Sequence, residues 1–103
     1  MAWEKAKELS PAHPILPGYF LVLSSLFNTE GLKHYQQKNI DKAVECYNKS
    51  LKYNPQNTDA LYNLGGTFLM VGDKNKAREL WTQTLQLNPN HADAKKWLNE
   101  ISK

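Results

Sequence analysis

Residues 58–91 read TDALYNLGGTFLMVGDKNKARELWTQTLQLNPNH, two apolar helical patterns near 58–71 and 75–87, the second closed by Asn88-Pro89. Shifting the chain by 34 residues lays this stretch on the one before it. Gly31 falls on Gly65, Ala43 on Ala77, Leu51 on Leu85, Asn54 on Asn88 and Pro55 on Pro89. Lys42 and Glu45 match Lys76 and Glu79. Phe27, His34 and Tyr47 match Leu61, Phe68 and Trp81 in bulk, and Ser50 matches Thr84 in smallness. Each match has a physical reading. Glycine inside a helix costs about 1 kcal/mol relative to alanine, so Gly31 and Gly65 point to a neighbouring helix at close range. Ala43 and Ala77 suit the same contact, and Tyr47 and Trp81 follow four residues later on that face. Pro55 and Pro89 cannot continue a helix and disfavour helical geometry at the preceding Asn.

The pattern resembles the tetratricopeptide repeat: bulky-x-x-Leu-Gly-x-x-bulky, then Ala, an aromatic, a small residue and Pro. The second copy supplies Leu61, Leu64, Gly65, Phe68, Ala77, Trp81, Thr84 and Pro89. The first copy departs at Glu30, where Leu is usual, and at His34, where Tyr is usual, but keeps the spacing. The resemblance implies an all-α fold, a solenoid of antiparallel helix pairs wound into a right-handed superhelix.

Outward from residues 24–57 and 58–91, the two full repeats, the register frays. Trp3-Glu-Lys-Ala-Lys-Glu-Leu-Ser-Pro11 parallels the segments running from Tyr47 to Pro55 and from Trp81 to Pro89, although Lys7 stands where those carry Leu. Residues 2–11 therefore read as a half-repeat, the second helix of a preceding pair. Residues 12–23 read as an insertion that lengthens the next first helix from Pro17. At the other end Asp93, Ala94 and Leu98 repeat Asp59, Ala60 and Leu64, but Lys95 and Asn99 replace Leu61 and Gly65. Residues 92–103 thus make a polar capping helix, as solenoid ends require. About six helices are expected in all, near 2–9, 18–37, 41–53, 58–71, 75–87 and 91–101. Asn39 and Asp73 are the expected N-caps of the two second helices. Thr58 with Asp59 opens the helix between them.

Composition narrows function by exclusion. The 103 residues suffice for one domain, 41% hydrophobic and 22% charged. The net charge of +3 is scattered among acidic residues such as Asp41, Glu45, Asp73 and Glu79, whereas nucleic-acid binders concentrate it on a stripe. Ile15–Phe27, the most apolar stretch, is shorter than a membrane span and contains Pro17 and Gly18. Neither nucleic-acid binding nor membrane insertion is expected. One cysteine, Cys46, and a charged start without a signal-type apolar run give a cytoplasmic expectation. His13, His34 and His91 lack paired metal-ligand spacing. Cys46 and His34 lie on paired helices without an orienting third group, and Gly65-Gly66 is mid-helix rather than a phosphate loop. Asn48-Lys49-Ser50 is a glycosylation sequon in form only, inside a helix. No catalytic residue, metal or cofactor is expected.

In the family that the repeat resembles, first helices line a concave groove. The register carries that face to Asn28, Leu32, Tyr35, Tyr62, Asn63, Gly66, Leu69, Met70, Asp93, Lys96 and Trp97. Asn63 matches the amide that many peptide-binding relatives carry on the middle first helix. The resemblance implies a non-catalytic interaction module that holds a peptide or partner protein there. Amides can bond an extended backbone, and aromatic rings supply contact area at low entropy cost. Chaperone-tail binders of the family use a clamp of Lys and Asn, then Asn, then Lys and Arg; here those positions hold Asn28 and Leu32, Asn63, then Asp93 and Trp97. Only Asn63 matches, so heat-shock chaperone tails are not the expected ligand. The alternative is structural: an assembly segment that self-associates, by dimerisation or domain exchange, through the N-terminal half-repeat and the helix over 15–27.

Overall fold

Two Asn-Pro turns and two tighter turns divide residues 17–103, the part of the chain that the computed structural model describes, into five helices. These are α1 (Pro17–Gln36), α2 (Ile40–Tyr53), α3 (Thr58–Met70), α4 (Lys74–Leu87) and α5 (Ala92–Ile101). They match five of the expected helices to within a residue at each end. The helix expected at 2–9 and the start of the expected insertion lie outside the described residues.

The Asn-Pro turns are built alike. Asn54 and Asn88 end α2 and α4 with their N–H groups on the Ser50 and Thr84 carbonyls, at 2.9 and 2.8 Å. Their side-chain oxygens then accept from the Gln56 and Asn90 N–H groups, at 3.1 and 3.2 Å. Proline between them stops the helix, and the Asn side chain turns the backbone. Asn57 and His91, also 34 apart, cap the following helices: Asn57 Oδ1 accepts from the Ala60 N–H and His91 Nδ1 from the Ala94 N–H, both at 3.1 Å. Asp73 caps α4 as expected, accepting from the Lys76 N–H at 3.1 Å. Asn39 occupies the N-cap position of α2 but makes no side-chain cap bond. The tighter turns also correspond: Gly72 has φ +89°, and Lys38, 34 residues earlier, takes the same left-handed region at φ 63°. There lysine bears a steric cost that glycine avoids.

Helices pair as α1 with α2 and α3 with α4, while α3 packs back on α2 and α5 on α4. A Cβ added to Gly31 would stand 2.6 Å from the Tyr47 ring, and one added to Gly65 2.6 Å from the Trp81 indole nitrogen. The glycines therefore admit the ring of the paired helix. Ala43, Tyr47 and Ala77 have no exposed surface and Trp81 only 1%. Burying a ring of this size stabilises by roughly 3 kcal/mol, whereas each ion pair among the described residues is exposed and joins side chains three or four residues apart. Such pairs contribute at most about 0.5 kcal/mol each, so packing rather than charge holds the repeat together.

A polar junction joins the two repeats. Ser24 and Ser50, both fully buried, exchange bonds with each other's carbonyls at 2.8 and 2.6 Å. Asn57 Nδ2 donates to the Ser24 hydroxyl at 2.8 Å while its oxygen caps α3. Stacked Phe20, Phe27 and Tyr53 rings flank α1 and α2, with centroids 6.0 and 5.6 Å apart. The result is an all-α helix-pair repeat measuring 56 × 29 × 17 Å. Its radius of gyration is 16.0 Å, against about 13 Å for a compact chain of this length. Each pair touches mainly its neighbours, which leaves one long face of first helices.

Candidate functional site

A concavity of about 280 Å³ opens where α1, α3 and α5 meet. Leu32 and Tyr35 come from α1, Tyr62, Asn63, Gly66 and Leu69 from α3, and Trp97 from α5. The helical period sets this wall, because Tyr62, Gly66 and Leu69 recur at spacings of four and three. Seven of the eleven expected groove residues, Leu32, Tyr35, Tyr62, Asn63, Gly66, Leu69 and Trp97, are thus brought together. The other four, Asn28, Met70, Asp93 and Lys96, stand outside this lining. Asn28 lies beside the wall, its Oδ1 accepting from Asn63 Nδ2 at 3.0 Å. Met70 is half exposed at the end of α3. Lys96 sits at the rim with its ammonium 5.7 Å from the centre of the Trp97 ring.

Two lining residues escape the first-helix register. Tyr47 and Trp81 belong to the second helices, yet both line the concavity. The signal was in the repeat: each ring lies against a glycine of the paired first helix, where no side chain screens it. Trp81 donates its indole N–H to the Tyr62 carbonyl at 3.0 Å. Its ring leans on Tyr62 at 6.1 Å and on Trp97 at 6.3 Å, and His91 lies 4.9 Å from Tyr62.

Electrostatics at the site are those of buried phenols. Burial pushes the Tyr47 hydroxyl up to about 12, helped by Tyr35 and Cys46. That hydroxyl is buried with no hydrogen-bond partner among the described residues. Tyr62 is also raised, first by burial and then by the Asp93 carboxylate, against a lowering hydrogen bond with the Trp97 side chain. Asp93 and Trp97, four apart in α5, share its face toward the site. Among the described residues the lining contains no lysine or arginine.

Nothing in this arrangement activates a nucleophile. Burial pushes the Cys46 thiol up, the opposite of what a reactive thiolate needs. Among the described residues, no three His, Cys, Asp or Glu side chains group to hold a metal ion. No helix among them is long and apolar enough to cross a membrane.

A second, shallower concavity of about 300 Å³ lies on the outer side of α1, between Leu21, Val22, Ser25, Leu26 and Thr29. Leu21, Val22 and Leu26 are each more than half exposed.

Comparison with known proteins bears on the whole array. A family model described as TPR repeat matches residues 31–72, and one described as Tetratricopeptide repeat matches residues 58–91. The human Protein O-mannosyl-transferase TMTC1 is 35% identical over 89 residues, which is 86% of this chain and 9% of that protein. The chain thus spans about a tenth of the length of that relative. Among solved structures, MamA superposes with a TM-score of 0.74 at 19% identity, over 76% of this chain and 46% of that one. The second TPR of Spaghetti (RPAP3), solved bound to HSP90 peptide SRMEEVD, gives 0.67 at 16% identity, over 78% and 81%. At these identities the structural likeness is one of fold.

Proposed function

Because the chain belongs to the tetratricopeptide repeat family, a family of non-catalytic protein-interaction scaffolds, we propose that it holds an extended segment of a partner protein in the concavity between α1, α3 and α5. The observation that carries this reading is the convergence of Tyr35, Tyr62, Asn63 and Trp97, from three separate helices, around one open space. Aromatic walls supply contact area with few rotors to freeze. The amide pair supplies direction. One N–H of Asn63 Nδ2 is committed to Asn28 Oδ1, which leaves the Asn63 carbonyl as an acceptor and the remaining amide N–H groups of both residues as donors for a peptide backbone.

The test is peptide selection on the intact chain, followed by binding to a Tyr62→Leu/Asn63→Ala double variant checked by circular dichroism. Selected peptides are expected to bind the double variant at least about tenfold more weakly, a loss of about 1.4 kcal/mol, while its helical signal is retained. Peptides that bind both proteins equally overturn the groove reading.

The apolar side of α1 favours a second reading, self-association between copies. Leu21, Val22 and Leu26 expose a contiguous apolar strip of the kind that soluble chains usually cover.

A further inference from the structure

We propose that the side chain anchored in the concavity is cationic, an arginine or lysine of the partner segment, held against the faces of the Tyr62 and Trp97 rings with the Asp93 carboxylate as its counter-charge. This rests on the groove reading above and specifies its chemistry.

The charge inventory of the lining points this way. Among the described residues the lining offers the Tyr35 and Tyr62 hydroxyls, which donate or accept, and the Asn63 amide, one N–H of which is committed to Asn28. Trp81, the other indole of the lining, spends its N–H on the Tyr62 carbonyl. What remains for a ligand is aromatic faces and neutral polar groups, with no lysine or arginine among the described lining residues, although the chain as a whole carries +3. A carboxylate entering this space would find only neutral donors among them, with Asp93 one turn from Trp97 to repel it. A guanidinium would stack on a ring and donate to the oxygens around it. Asp93 stands one helical turn before Trp97 on α5, and its field already reaches the Tyr62 phenol. The molecule also supplies an internal precedent: the Lys96 ammonium lies 5.7 Å from the centre of the Trp97 ring. That lysine is a resident competitor at the rim, both for the ring and through like-charge repulsion.

The experiment titrates the full chain with four pentapeptides, acetyl-Gly-Ser-Xaa-Ser-Gly-amide, in which Xaa is arginine, citrulline, norleucine or glutamate. Citrulline keeps the shape of arginine without its charge. Binding is followed by NMR shifts of the Trp97 indole N–H and the Asn63 side-chain NH₂. The arginine peptide is expected to bind about tenfold more tightly than the citrulline one, within the range of a partly desolvated cation–π contact. Asp93→Asn should narrow that gap. Lys96→Ala, an exposed position that leaves the fold intact, should widen it, because the competitor is gone. Equal binding of arginine and citrulline, tightest binding of norleucine or glutamate, or weaker arginine binding by the Lys96→Ala variant each overturns the cationic anchor while leaving the groove reading standing. Absence of any shift at Trp97 and Asn63 with all four peptides overturns the anchor at this site, and the selection experiment then decides the groove reading separately.

Discussion

Gly65 lies against the Trp81 indole so closely that a methyl group there would stand 2.6 Å from the ring nitrogen. Trp81 cannot yield, because it is 1% exposed and its N–H is bonded to the Tyr62 carbonyl. Gly65→Ala should therefore destabilise by about 1–3 kcal/mol, the usual cost of overpacking. The adjacent Gly66 has nothing within 4 Å of the same added atom. Gly66→Ala should instead stabilise by up to about 1 kcal/mol through helix propensity. Urea unfolding of the two variants checks the pair, and the opposite signs rule out a general intolerance of alanine. Tyr47 makes a pH prediction. Its folded hydroxyl is pushed up to about 12, against 10.0 for the free phenol. The folded state prefers the neutral form, so the contribution is fully present below pH 10 and is lost as the pH rises through about 12. Unfolding midpoints measured from pH 9 to 12 should fall by an amount equivalent to about 2–3 kcal/mol. Tyr47→Phe should remove most of that fall, and it removes a buried hydroxyl that has no partner.

At the scale of elements, most of the fold was legible because its causes are local. Asn-Pro stops a helix, and a 34-residue recurrence places each stop. The same recurrence marks Lys38 as the counterpart of Gly72 and Asn57 as that of His91. The junction of Ser24, Ser50 and Asn57 was not legible in this way. It depends on two buried hydroxyls on different helices meeting the side chain that caps a third. Asn57→Ala should cost about 1–3 kcal/mol, since it removes a cap and strips a partner from buried hydroxyls. His91→Ala removes only a cap and should cost about 1 kcal/mol. Hydrogen exchange separates the two: the first should raise exchange across α1 to α3, the second in α5 alone. Equal effects on both segments would count against the junction as a coupling device.

The whole molecule is an elongated stack with a concave face of first helices and an apolar strip on the outer side of α1. Self-association through that strip predicts a mass that rises with protein concentration in light scattering, and a return to monomer mass in a Leu21→Lys/Leu26→Lys variant. A constant monomer mass over the accessible range would remove the second functional reading and leave the groove reading untouched. Of the groove itself, the family resemblance together with the repeat register carried the expectation to Leu32, Tyr35, Tyr62, Asn63, Gly66, Leu69 and Trp97, which share one lining. Met70 and Lys96 share the expected face but fall beyond its edge, because period assigns a direction and not a depth.

By itself, the sequence determined the repeat, its helices and the side from which each first helix is approached. These follow from short-range rules, from proline, glycine and small residues at a fixed spacing, and they hold whatever the partner helix looks like. Tertiary structure alone decided that Tyr47 and Trp81 of the second helices reach the groove past the glycines. It alone joined Asn28 to Asn63 and placed three rings from three helices around one space. Those are distances between elements, set by how closely bare helix backbones allow their neighbours to approach, and no spacing along the chain records them.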